Sequence, residues 1–265
     1  MSPASSLRLR DGRTLGYAEY GDPAGFPVVF FHGIPGSRLQ RHPDDTIAAR
    51  LGIRLITMDR PGIGLSTFHH GRRLLDCAAD VRELAAALGL RRFAVLGWSG
   101  GGPYAAACAY GLAERVTTAG LLGTLGPMDT PGALAAMTPR NRLGFGAARR
   151  LPWPLLRWIW GRELGAAGRD PQGWYERWLA TIPDADRTVA RQHPEIVRLL
   201  ADAVPVIIWH GDADTLAPPA MAEALARRIP RARLTVYRGE GHWLLFPRWA
   251  EVLGALAPAP RRGTV

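Results

Sequence analysis

The chain has 265 residues, 47% of them hydrophobic and 21% charged, enough for one large domain with a sizeable core. No apolar run approaches the roughly 20 residues of a membrane span, and the opening "MSPASSLRLRDGRTL" lacks the apolar centre of a signal peptide, so a cytoplasmic protein with no membrane partner is expected. The net charge of +10 comes from scattered arginines with no lysine, no long basic run and no zinc-finger or RNA-binding signature, which argues against a nucleic-acid partner.

In chain order, "SLRLRDGRTLGYAEYGDP" alternates apolar and polar residues around Asp11-Gly12 and predicts a hairpin. "FPVVFFHG" and "LGIRLITMDRPG" read as buried strands ending at His32-Gly33 and Asp59-Arg60-Pro61. "LLDCAADVRELAAALGL" has apolar residues at helical spacing (Leu74, Ala78, Val81, Leu84, Leu88) and stops at Gly89. The strand "RRFAVLG", a helix opening at Ser99 and the strand "RVTTAGLLGT" follow. The pattern resumes with strand "VPVIIWHG", helix "PPAMAEALARRI", strand "ARLTVYRGEGH" and helix "WLLFPRWAEVLGAL". Strands that are apolar throughout and alternate with helices imply a parallel sheet covered on both faces. The only cysteines, Cys77 and Cys108, fall in predicted helices and are expected as small buried apolar residues.

Residues 126–203 break the alternation. They show only helical periodicity and hold Trp153, Trp158, Trp160, Trp174 and Trp178. An all-helical insertion over the C-terminal edge of the sheet is expected, the edge where open α/β folds bind ligands. The final "APAPRRGTV" reads as a loose tail.

The glycines of "AVLGWSGGGPYAAACA" admit two chemistries. Gly100 to Ala105 fit a loose G-x-G-x-x-A pattern, but the next strand ends in "LLGT" without the carboxylate a dinucleotide ribose requires. A lysine-free chain has no Walker-type phosphate loop either. Gly97-Trp98-Ser99-Gly100-Gly101 instead matches G-x-S-x-G, a serine on a sharp strand-to-helix turn with small residues two before and two after it. The helix N-terminus there favours developing negative charge.

A serine hydroxyl needs a base, usually a histidine oriented by a carboxylate. Only His193, His210 and His242 follow Ser99. His193 falls in the helical insertion and His210 at a strand end. His242 follows "YRGEG" in a loop and is the one histidine after the carboxylates of "HGDADTLAP", so elimination selects it. The acid is Asp212 or Asp214, the other serving as a cap or turn residue. Spacing does not choose between them.

Four segments, "HGIPGSR" (32–38), "DRPGIGLS" (59–66), "GWSGGG" (97–102) and "HGDADTLAP…GEGH" (210–242), resemble the α/β-hydrolase fold family in order and spacing across nearly the whole chain. The resemblance implies a mostly parallel, eight-stranded α/β-hydrolase sheet with helices on both faces and a helical cap insertion. Residues 1–125 and 204–265 would form the core and 126–203 the cap. It implies Ser99 as nucleophile, His242 as general base and then acid, and Asp214, the second carboxylate of G-D-x-D, as the group orienting the imidazole. The oxyanion hole would be the backbone amides of Ile34 and Gly100. Arg60, Pro61 and Gly62 are expected to shape their loop rather than take part in chemistry.

Serine at the elbow, where the fold's dehalogenases and epoxide hydrolases carry aspartate, favours acyl chemistry. The expected activity is that of a carboxylesterase-like serine hydrolase acting on a small to medium apolar ester, lactone, thioester or related acyl substrate through an acyl-enzyme. The alternative is a natural-product cyclase or lyase, or a non-hydrolytic ligand-binding member of the fold. Candidate pocket residues are His32, Trp98, Trp158 and Trp243. No cofactor or metal is implied, the expected partner is a small-molecule substrate, and oligomeric state is left open. One departure is that "PEIVRLLADAVPV" runs almost directly from a helix into its strand, so a shortened cap is expected, which either leaves the site more open or marks a repurposed member.

Overall fold

The computed structural model describes residues 5–34, 36–127, 129–137, 142, 206–229 and 232–257. The strands among them are β1 (Ser5–Arg8), β2 (Thr14–Gly21), β3 (Phe26–Phe31), β4 (Ile53–Met58), β5 (Phe93–Trp98), β6 (Val116–Leu122), β7 (Val206–Gly211) and β8 (Arg233–Tyr237). They form one sheet in the order β1-β2-β4-β3-β5-β6-β7-β8. β2 is antiparallel to β1 and β4, and the remaining pairs are parallel. The mostly parallel eight-stranded sheet expected from the sequence is therefore present.

The hairpin forms around Asp11-Gly12, with Gly12 at φ +87° and the Leu9 N–H donating to the Arg13 carbonyl at 2.8 Å. The described helices are α1 (Thr46–Arg50), α2 (Asp76–Ala87), α3 (Gly102–Gly111), α4 (Ala133–Ala136), α5 (Pro219–Arg228) and α6 (Leu245–Leu256). The sequence did not suggest α1. Its signal is the Asp44 carboxylate, which accepts from both the Thr46 N–H and hydroxyl at its start.

Strand side chains alternate between two cores because successive Cβ atoms point to opposite faces. Val28 and Phe30 of β3 join Ala94, Leu96 and Trp98 of β5 against α6, where Phe30 meets the edge of Trp249 at 5.6 Å. Val29 and Phe31 join Phe93 and Val95 against α2 and α3. Cys77 and Cys108 lie in this second core as free thiols with sulfurs 3.6 Å apart, within hydrogen-bonding reach, buried as expected. Asp80 of α2 is also buried there. The guanidinium of Arg13 neutralises it through two hydrogen bonds of 2.6 and 3.1 Å, tying the hairpin to the helix.

Strand order positions the site. After β3 the chain pairs β4 on one side, then crosses by way of α2 to β5 on the other. Loops leaving the C-terminal ends of β3 and β5 therefore diverge, opening the crevice in which such sheets hold ligands. In the expected cap, α4 and Met137 pack with Leu125 on Ala217 and Met221. Trp158 and most of residues 126–203 lie outside the described residues. No helix among the described residues is long and apolar enough to cross a membrane.

Leu84 of α2 is fully buried. Leu84→Ala is expected to destabilise the fold by about 2–5 kcal/mol, read as a lower denaturant midpoint with unchanged m-value.

Candidate active site

The turn from β5 into α3 is built by close approach. A Cβ on Gly97 would lie 2.6 Å from the Gly102 Cα, and one on Gly101 would run into the Phe31 carbonyl at the end of β3. Gly102 faces the Thr124 side chain after β6. Ser99 has φ 54°, the one positive φ at a non-glycine among the described residues. Such a backbone costs on the order of 1–3 kcal/mol and persists only where its surroundings enforce it.

That turn lifts the Ser99 hydroxyl to 2.8 Å from His242 Nε2. On the other side of the ring, His242 Nδ1 lies 2.8 Å from Asp214 Oδ2. The loops after β5, β7 and β8 thus bring together three residues widely separated in the chain. The second oxygen of Asp214 accepts the backbone N–H groups of Leu216 and Ala217, both at 2.9 Å, so the carboxylate is buried yet satisfied. Asp212 turns the other way and accepts the Gly239 N–H at 2.7 Å, holding the loop that carries His242. The two aspartates left open by spacing are thereby separated by geometry.

Gly33 follows β3 and lies against this site, where a Cβ would sit 3.3 Å from the Ser99 Cβ. The Ile34 side chain covers Gly100, 2.5 Å from where a Cβ of that glycine would be. The two amides expected to receive an oxyanion therefore belong to adjoining loops.

Three of the four candidate pocket residues are described, and two of them sit behind the site. His32 is 1% exposed, with Nδ1 2.8 Å from the Gly33 carbonyl oxygen. Trp98 is 2% exposed and donates its indole N–H to the His242 carbonyl at 3.2 Å. Both are buried at the C-terminal ends of the central strands β3 and β5. Trp243 is partly exposed and packs on Trp98 with centroids 5.1 Å apart.

Two further residues escaped the sequence reading. His210, dismissed as a strand-end residue, approaches the Ala217 carbonyl with Nε2 at 2.6 Å and bolsters the Asp214 loop. Arg60, expected only to shape its own loop, is buried and donates to the Gly33 carbonyl at 2.9 Å. The available signal was an arginine directly following a buried strand at the same sheet edge. Among the described residues, no group of three His, Cys, Asp or Glu side chains is arranged to hold a metal ion.

Residues 27–248 match the family model described as alpha/beta hydrolase fold. The chain belongs to the alpha/beta hydrolase fold family. It is 30% identical over 253 residues to a non-heme haloperoxidase of Rhodococcus erythropolis, across 88% of this chain and 90% of that protein. A proline iminopeptidase of Xylella fastidiosa (strain 9a5c) is 30% identical over 190 residues, 68% of this chain and 50% of the peptidase. The crystal structure of an esterase from Rhodococcus sp. ECU1013 has a TM-score of 0.66 at 21% identity, covering 97% of this chain and 100% of that one. This alpha/beta hydrolase therefore shares its fold with proteins of several named activities.

Two buried histidines of this alpha/beta hydrolase titrate below their ordinary value, His32 through burial and then the charge of Arg60, His210 through burial. The unfolded chain takes up these protons near the ordinary value of about 6.5, before the folded protein does. Their contribution to stability is thus complete above that pH and is lost as pH falls through it. The thermal midpoint is expected to drop between about pH 7 and about pH 5.5, with a shallower drop in His210→Gln; a midpoint that stays level would contradict this.

Proposed function

We propose that the chain is a serine hydrolase of carboxylesterase type, cleaving a small to medium apolar ester, lactone, thioester or related acyl substrate. The observation that carries this reading is the unbroken chain from Ser99 Oγ through the His242 ring to Asp214, with both links at 2.8 Å. In the reaction, Ser99 Oγ attacks the acyl carbon while its proton passes to His242 Nε2. Asp214 holds the proton on Nδ1 and stabilises the imidazolium that forms. The carbonyl oxygen becomes an oxyanion received by the backbone N–H groups of Gly100 and Ile34, each such donor being worth about 10²–10³ in rate. The leaving alcohol or thiol departs with the proton from His242. Water then repeats the sequence on the acyl-enzyme, losing a proton to His242 and releasing the acid and Ser99.

Residues 1–125 and 204–265 serve as the core in this reading, with 126–203 as a cap over the crevice. The apolar preference is supported by Ile34 over Gly100 and by Trp243 beside the His242 ring at a centroid distance of 6.5 Å. The esterase of similar fold is consistent with acyl chemistry on this scaffold.

A fluorophosphonate probe is expected to label the wild type and to spare Ser99→Ala and His242→Ala. Absence of labelling in correctly folded wild type would refute the serine mechanism and favour a cyclase, lyase or ligand-binding role. On p-nitrophenyl esters, Asp214→Asn should lower kcat by about 10²–10⁴-fold, whereas Asp212→Asn should change it by no more than about tenfold, since it relaxes only a loop tether. The opposite order would reassign the acid.

A further inference from the structure

We propose that Arg60 is a positioning residue for the oxyanion donor at Ile34, acting through the Gly33 carbonyl. The inference rests on the reading of Ser99 as nucleophile and of the Ile34 amide as one of its oxyanion donors. The Gly33 C=O and the Ile34 N–H are two ends of one planar peptide unit, so whatever grips the oxygen also aims the hydrogen.

The grip is tight. The Gly33 oxygen takes Arg60 Nη2 at 2.9 Å and His32 Nδ1 at 2.8 Å, while the Gly33 N–H is held by the Gln40 side-chain oxygen at 2.7 Å. The Arg60 and His32 nitrogens are themselves only 3.3 Å apart, so both crowd onto the same side of that oxygen. A 2.8 Å approach of a ring nitrogen to a carbonyl is attractive only with the proton on that nitrogen, so His32 is the Nδ1–H tautomer. Burial and the neighbouring guanidinium keep the imidazole neutral. The carbonyl thus receives one neutral and one cationic donor.

A cationic donor on the oxygen draws electron density along the amide and makes the N–H at the other end more positive, and hydrogen bonds in such a chain reinforce one another. Because Arg60 is 3% exposed, solvent does little to dissipate the effect. Its other terminal nitrogen lies 3.5 Å from the Gly100 carbonyl, so the fork bridges the loop after β3 and the turn after β5. The guanidinium also lies over the Tyr104 ring of α3 at 5.3 Å, which fixes it against the helix that Ser99 begins. A lysine has no fork to bridge both carbonyls.

The test uses the full-length protein, Arg60→Met and Arg60→Lys, a p-nitrophenyl ester, and an aliphatic trifluoromethyl ketone that adds to Ser99 as a hemiketal oxyanion. For Arg60→Met, kcat is expected to fall about 10–100-fold, short of the 10²–10³ for losing a donor outright, with KM within about twofold. Affinity for the trifluoromethyl ketone should fall by the same factor, while the plain methyl ketone binds as before and the acid limb of the pH profile stays in place. Arg60→Lys should fall between the two proteins. A purely structural residue would instead move KM, the pH limb and the binding of both ketones together, and that pattern overturns the proposal. So do variants whose kcat and trifluoromethyl ketone affinity match wild type.

Should neither variant fold, wild-type NMR decides. Formation of the adduct must move the Ile34 amide and the Arg60 guanidinium resonances together, and an unmoved guanidinium overturns the proposal. Fluorophosphonate labelling of wild type reports on Ser99 independently. A labelled wild type with indifferent Arg60 variants defeats the positioning role alone, whereas an unlabelled one defeats the underlying serine reading.

Discussion

The close approach of the β5–α3 turn to the end of β3 is the constraint on which the rest of the site depends. Glycines at 97 and 101 let the turn double back so far that a Cβ at either would enter the backbone of the opposing segment. Compressed in this way, the chain has one sterically open route, and Ser99 takes it at φ 54°. The hydroxyl is thereby held away from its own backbone at the start of a helix, where positive partial charge is available. The strain in one residue is balanced by packing across two strands and a helix.

Around that turn the structure stacks supports for the chain from Ser99 through His242 to Asp214. Asp214 is buried without penalty because two backbone N–H groups and His242 satisfy it. His242 is held from behind by the Trp98 indole, which belongs to the residue preceding the serine. The loops carrying Asp214 and His242 are laced together by Ala213 donating to the Glu240 carbonyl and by Asp212 accepting from Gly239. Orientation is therefore fixed by groups that carry no reacting atom, the arrangement that keeps a preorganised site accurate.

Much of the architecture was legible in local pattern. The apolar runs of β3 and β5, the Asp11-Gly12 turn and the helical spacing of α2 each follow from side-chain direction and burial, which are local properties. Ser99 was legible because its neighbours must be small, and His242 because of element order. The short α1 went unseen because five residues have too little periodicity to stand out, although the side-chain turn at Asp44 just before it was there to be read. His32 and Trp98 were named as pocket candidates by residue type, which says nothing about how deeply a side chain at a sheet edge is buried.

By itself, the sequence determined an alternating α/β chain, a serine on a glycine-flanked turn and a histidine late enough to serve it. The tertiary structure alone decided that Asp214 rather than Asp212 faces the imidazole, that Gly102 makes room for Thr124, and that Arg60 reaches back to the Gly33 peptide. Each of these is a contact between loops from different strands, set by the order in which the strands pair. Local sequence records the period of a strand or helix, but the meeting of loops across a crevice is fixed only when the whole sheet has closed around its core.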